Sequence, residues 1–277
     1  MEQKYIDVLN DAKLNMWLDI STYCNASCPE CHRTDVVNGG LGKVEWLPLV
    51  QWTFEEFKKS YSPSFINKTK KWEFCGTWGD PVMNKDLLDI CQYVSDNTSH
   101  DATIEVDTNG SIRPLSWWEK LGKIPKIKVD FAIEGITHEM HSFYRRRTDL
   151  AKVLANMKRF SDAGGLATGF CVIHKHNQDH LLEIESLSKA YGAKFVDFVE
   201  SNRFERSPLF HFFNEEDKVE VLRKPTTYQF PGEVNHYGKS QRQKNNTTEW
   251  ETIAGLVENV KEEPDIIDIM EGKSHEH

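Results

Sequence analysis

The stretch Met16-Trp17-Leu18-Asp19-Ile20-Ser21-Thr22-Tyr23-Cys24-Asn25-Ala26-Ser27-Cys28-Pro29-Glu30-Cys31 decides the fold. In its first half Met16, Leu18 and Ile20 interleave with Trp17, Asp19 and Ser21. That period of two belongs to a β-strand with one packed face and one polar face. The second half sets Cys24, Cys28 and Cys31 in a loop with Asn25 and Pro29. A strand therefore delivers three thiols to one short connection at its carboxyl end.

The same alternation recurs downstream. Trp72 and Phe74 interleave with Glu73 and Cys75, Ile104 and Val106 with Glu105 and Asp107, and Val129, Phe131 and Ile133 with Asp130, Ala132 and Glu134. Strands are expected at 16–23, 71–76, 102–108, 126–134, 167–174 and 194–200. Helical patterns fall between them. Thr53 with Glu56 and Ser116 with Glu119 have the spacing of a capping box. Asn84 can cap a helix that buries Leu87, Ile90, Cys91 and Val94. Segment 150–163 buries Leu150, Val153, Leu154 and Met157 and stops at Gly164, and Leu181, Ile184, Leu187 and Tyr191 repeat that pattern before Gly192. Six β/α steps imply parallel strands with crossover helices. Strands of a flat doubly wound sheet are usually apolar on both faces. A polar, acidic inner face fits a curved, partly open barrel. The fold class expected is α/β, a partial (β/α)6 TIM-like barrel with a short C-terminal extension.

Outward from this unit the composition changes. Residues 1–202 form the expected barrel. Residues 203–277 hold no cysteine and are interrupted by Pro208, Pro225, Pro231 and Pro264. One amphipathic helix is expected there, with Trp250, Ile253, Leu256, Val257 and Val260 on one face, followed by a frayed end. A net charge of −9 argues against a general nucleic-acid or anionic-membrane binder, because phosphate contacts need basic surface. No apolar run approaches the roughly 18 residues of a membrane span, and the start does not resemble a signal peptide. A cytoplasmic protein is expected, in which clustered cysteines mean metal rather than disulfides.

Three thiolates from one loop can bind three irons of a cubane cluster and leave the fourth open to a small molecule. Zinc is the rival, with His32 as fourth ligand beside Cys24, Cys28 and Cys31, although adjacent Cys31 and His32 would chelate awkwardly. Buried, unliganded cysteines are the plainest alternative.

The C-x3-C-x2-C spacing after the first strand resembles the radical S-adenosylmethionine (SAM) superfamily, and the likeness runs through about 16–200. Gly79-Asp80-Pro81 looks like the family's Gly-Glu-Pro, which holds the amino group of SAM. Thr108-Asn109-Gly110 is similar to the family's Thr-Asn-Gly at the ribose and methionine end. Ile133-Glu134-Gly135 stands where many members have Ile-Asp-Gly. Tyr144-Arg145 resembles a Tyr-Arg whose arginine meets the SAM carboxylate. The nearest likeness is to the branch of peptide-modifying and cofactor-maturing enzymes. Glu30 departs from an aromatic residue frequent at its position, Trp78 from the first glycine of a Gly-Gly pair, and Ala132 from a serine.

The resemblance implies one [4Fe–4S] cluster on Cys24, Cys28 and Cys31. It also implies SAM bound by Gly79, Asp80, Pro81, Thr108, Asn109, Glu134, Arg145 and His174. The expected function is oxidoreductase chemistry: reductive cleavage of SAM to a 5′-deoxyadenosyl radical that abstracts hydrogen from a small-molecule or peptide substrate. An electron donor such as flavodoxin or ferredoxin is the implied partner. A non-catalytic zinc- or cluster-binding module and a partner-dependent peptide or protein maturase are the alternatives. His174 and Asn177 could touch adenine or substrate, although a loop histidine and a capping Asn177 are simpler readings. Cys75 and Cys171 read as buried thiols or hydrogen-atom donors, and Cys91 as core. With no cysteine after Cys171, no auxiliary cluster is expected.

Overall fold

The computed structural model describes residues 14–36, 42–228, 253, 255–265 and 267. Strands β1 (Leu14–Leu18), β2 (Thr69–Phe74), β3 (Thr103–Thr108), β4 (Ile127–Ala132), β5 (Leu166–Ile173) and β6 (Val196–Glu200) pair in that order, each parallel to the next. Among the described residues β1 and β6 are the edges of the sheet, which curls into a half-barrel, the α/β partial TIM-like architecture expected. Helices α1 (Phe54–Ser60), α2 (Pro63–Ile66), α3 (Leu87–Asn97), α4 (Leu115–Gly122), α5 (His138–Tyr144), α6 (Leu150–Asp162) and α7 (Leu181–Ala190) fill the crossovers.

The alternation read from the sequence is the packing of the sheet. Trp72, Phe74, Ile104, Val106, Val129, Phe131, Cys171 and Ile173 are buried in one cluster with Phe57, Ile90, Trp118, Leu154, Phe160 and Ile184 of the helices. Each such side chain contributes about 1.5–3 kcal/mol through removal from water. The opposite face is a polar lattice. Lys71 bridges Glu73 (2.6 Å) and Glu105 (2.5 Å), and Lys128 bridges Glu105 (2.5 Å) and Asp130 (2.9 Å). Trp17 donates its indole N–H to Glu73, and Thr168 its hydroxyl to Asp130.

Thr53 forms the expected capping box with Glu56. Ser116 does not cap. Pro114, whose ring presets φ for a helix entry, stands at the N-cap of α4, and Ser116 in the first turn gives its N–H and hydroxyl to Glu262. Asn84 is not the cap of α3 either. It donates to the carbonyls of Ile20 and Trp52 and accepts from Asp86 N–H, while Asp86 occupies the cap.

The extension holds an element that periodicity did not announce, the hairpin of β7 (Leu209–Phe213) and β8 (Val219–Arg223). Phe204, Phe212 and Leu222 bury against Ala26, Cys28, Tyr144 and Val172, so this segment roofs the cysteine loop. Further on, Ile253, Val257 and Ile267 join the main core and Val260 packs against it. Leu256 is 49% exposed, so it is not on the packed face expected for it. Trp250 lies outside the described residues. Arg113 ties the segment down through a buried bridge to Asp265 of 2.6 Å. No helix among the described residues is long and apolar enough to cross a membrane.

Candidate functional site

The loops leaving β1, β2, β3 and β4 meet at the carboxyl end of the half-barrel, where α/β barrels place their sites. Loop one carries the cysteines. Ala26 N–H points at Cys24 Sγ (3.4 Å), and Cys31 N–H closes a turn on Cys28 O (3.1 Å). All six cysteines are free thiols, with Cys24 and Cys31 half-buried and Cys28 buried. Burial pushes the Cys24 thiol well up, and Asp80 and Cys28 push it further. Burial likewise raises Cys28, to about 11; the Arg145 guanidinium lowers it, while Cys31 and Glu134 raise it. Buried thiols raised in this way stay protonated until a cationic centre takes them as thiolate ligands.

The spacing of the sulfurs discriminates among such centres. Around one zinc, Zn–S bonds of about 2.3 Å at tetrahedral angles put sulfurs about 3.8 Å apart. Among the described residues the one trio of His, Cys, Asp or Glu ligand atoms lying mutually within 4.8 Å is Glu105, Asp107 and Asp130. The cysteines, with or without His32, do not converge so closely. His32 is exposed and turns its ring toward Trp78, at 5.8 Å. Three thiols spread wider than the ligands of one zinc ion fit an iron–sulfur cluster better than zinc.

Loop two approaches loop one at Gly79. A Cβ there would lie 2.1 Å from Ser21 O, so only glycine lets the chains pass. Asp80 follows, buried, with its N–H on Tyr23 O (2.7 Å). Its carboxylate accepts from Val82 N–H (3.0 Å), from the Thr108 hydroxyl (2.9 and 3.0 Å), and from Asn109 through backbone N–H (2.9 Å) and side-chain amide (2.5 Å). Burial raises the Asp80 pKa against the lowering effect of those hydrogen bonds. Two carboxylate oxygens have about four lone-pair sites, and these donors fill them. Asp80 therefore joins the second and third loops. Pro81 opens the buried turn that follows. Asn109 reaches back to Asn25 Oδ1 (2.9 Å) and toward Cys24 Sγ (3.9 Å).

Glu134 and Arg145 form the other wall. Arg145 gives Nε (2.8 Å) and Nη2 (2.7 Å) to Oε1 of fully buried Glu134, and Nη1 lies 3.7 Å from Cys28 Sγ. Oε2 of Glu134 has no hydrogen-bond partner among the described residues. His141, which sequence reasoning missed, sets this pair. Thr148 gives its hydroxyl to Arg145 O (2.5 Å), so it accepts from His141 Nε2–H (2.9 Å), and His141 Nδ1 accepts from Glu134 N–H (3.2 Å). The arrangement requires the neutral ring, and burial holds the His141 pKa down at about 3.

His174 stands on the far side of the cysteine loop, fully buried between Val172 O (Nδ1, 3.2 Å) and Glu30 Oε2 (Nε2, 3.1 Å). Its ring packs on Tyr144 at 4.6 Å. Asn177 closes that turn by accepting from His174 N–H and donating to Glu134 O and Val172 O. Glu30 was the overlooked residue. Its departure from an aromatic side chain was the signal, since a buried carboxylate needs a partner. Of the remaining thiols, Cys75 faces the barrel interior beside Asp19 (3.7 Å), while Cys91 and Cys171 are fully buried. The structure thus gathers Cys24, Cys28, Asp80, Thr108, Asn109, Glu134 and Arg145 into one connected rim, with His174 joined to it through Glu30.

The radical SAM superfamily model matches residues 18–187, more than half of the chain. No curated protein sequence matches it. Similar solved structures include Streptococcus suis SuiB bound to S-adenosylmethionine, 13% identical, with a TM-score of 0.58 over 74% of this chain and 45% of that one. SuiB bound to the precursor peptide SuiA is 12% identical, with a TM-score of 0.56 over 72% and 42%. The enzyme anSMEcpe with bound AdoMet is 18% identical, with a TM-score of 0.54 over 74% and 53%. These likenesses concern the fold, and the chain spans about half the length of those proteins. A half-barrel of six parallel strands, a cysteine loop after the first and a family match across both place this chain in the radical SAM superfamily.

Proposed function

We infer that the chain is a radical SAM enzyme in which Cys24, Cys28 and Cys31 hold one [4Fe–4S] cluster and the rim around them holds SAM. The observation that carries this reading is a loop of three thiols, set wider than a single zinc requires, in a superfamily match. Bound there, the cluster would supply the electron for reductive cleavage of SAM, the family's route to hydrogen abstraction. The chain's own part is positioning and exclusion of water. Asp80 locks the loop of Gly79 and Pro81 to Thr108 and Asn109, fixing a polar rim suited to the methionine and ribose ends of SAM. Arg145 keeps two N–H bonds, beyond those on Glu134 and Cys28, for a carboxylate. Glu134 keeps Oε2, and His174 with Glu30 closes the opposite wall. Phe204, Phe212 and Leu222 cover the cysteine loop. Residues 1–202 then make the catalytic barrel, and 203–277 an extension that helps enclose it.

The inner face, with Asp19, Glu73, Glu105, Asp107 and Asp130 against Lys71 and Lys128, suits a polar or cationic substrate. A peptide substrate is the favoured class. Trp46, Leu49 and Val50 are exposed beside the mouth, and SuiB, similar in fold, was crystallised with a precursor peptide. A flavodoxin- or ferredoxin-type donor and a reducing, cytoplasmic setting complete the reading. Reconstituted without oxygen, the full chain should bind about four irons and release 5′-deoxyadenosine with SAM and dithionite. Zinc without sulfide, or an intact cluster with no such product, overturns it.

A further inference from the structure

Arg145 brings its guanidinium to a motif sulfur, with Nη1 3.7 Å from Cys28 Sγ. Its placement is built. Nε and Nη2 are fixed on Glu134 Oε1, the neighbouring carbonyl of Arg145 is held by Thr148, and His141 connects Thr148 to the Glu134 backbone. What remains of the fork points Nη1 at Cys28 Sγ. The three arginines in sequence are thereby separated by task. Arg146 bridges Glu215 and Glu220 of the extension. Arg147 is exposed, at φ +61°. Only Arg145 turns inward.

We propose that Arg145, clamped by Glu134, donates an N–H to the sulfur of Cys28 and so sets the reduction potential of the cluster. The inference rests on the functional reading above, because it presumes the cluster. Reduction adds one negative charge to the cluster–thiolate unit. A donor and positive charge against one sulfur stabilise the reduced form more than the oxidised form, which raises the potential; a carboxylate nearby lowers it. Glu134 is that carboxylate. It positions the guanidinium and partly cancels its charge, so the two side chains act with opposite signs. Arg145 is a positioning residue here, acting through Cys28.

The test is a redox titration of the reconstituted full chain with dithionite, read by the electron paramagnetic resonance signal of the reduced cluster, with iron and sulfide counted in every sample. Arg145→Met should shift the midpoint to more negative values at unchanged iron content. Glu134→Gln, which keeps an oxygen for Arg145 and removes the charge, should shift it to less negative values. Two shifts in the same direction, or two unchanged midpoints, overturn the proposal. Loss of the cluster from both variants also overturns it, by making the pair a structural strut. Absence of a cluster from the unaltered chain counts against the proposed function instead.

Discussion

Asp80 and Asp107 are both aspartates at the carboxyl ends of neighbouring strand units, both are raised in pKa chiefly by burial, and they do opposite things. Asp80 sits at the rim, wrapped by donors from three other residues. Asp107 faces the barrel interior, where Asp130, Glu73 and Glu105 push it up to about 7 and Lys128 alone among the causes beyond burial pulls it down. Nearby, Glu105 is held low, at about 2, by its hydrogen bond with Asp130 and by its lysine bridges, and Asp130 is raised, chiefly by burial. The difference teaches what burial of a carboxylate means. With donors fitted to every lone pair it is a construction joint. Among like charges it is a stored repulsion that a proton or a cationic group can relieve. The Asp80 joint is finished and the interior is poised.

The largest effect expected from this contrast is at Asp80. Asp80→Ala strips the shared acceptor from Thr108 and Asn109 and leaves both buried. It should cost about 3–5 kcal/mol in denaturant unfolding. A loss below about 1 kcal/mol would show that the loops hold each other without it.

A smaller effect of opposite sign is expected at Asp107. Its folded pKa of about 7 lies above its ordinary 3.8, so between those values the folded state binds more protons than the unfolded state. Stability attributable to this group therefore falls as pH rises from about 4 to about 7 and then levels off. Asp107→Asn should be neutral near pH 4 and stabilising by about 2–4 kcal/mol at pH 8. A gain that is the same at both pH values would remove the repulsion from the account.

The barrel was legible because its signal is periodic. Trp72, Phe74, Ile104 and Val106 alternate with Glu73, Cys75, Glu105 and Asp107, and every strand expected from such patterns is present. The hairpin was not legible, since Leu209-Phe210-His211-Phe212-Phe213 is nearly uniform in polarity and its burial depends on the roof it makes over Cys28. Caps were mixed for local reasons. Thr53 had its Glu56, whereas Pro114 displaced Ser116. At the site, short motifs in the loops were readable, but pairings across the chain were not. Glu30 meets His174 across a separation of 144 residues, and His141 reaches Glu134 only because α5 folds back over the β4 exit. Neither contact has a sequence period to reveal it.

The most direct measurement of the central claim is iron and sulfide content after anaerobic reconstitution of the unaltered chain and of single alanine variants at all six cysteines. The account predicts about four irons per chain in the unaltered protein and in the Cys75, Cys91 and Cys171 variants, and loss of the cluster in each of the Cys24, Cys28 and Cys31 variants. A full cluster retained without Cys28, or lost on replacing Cys75, contradicts it.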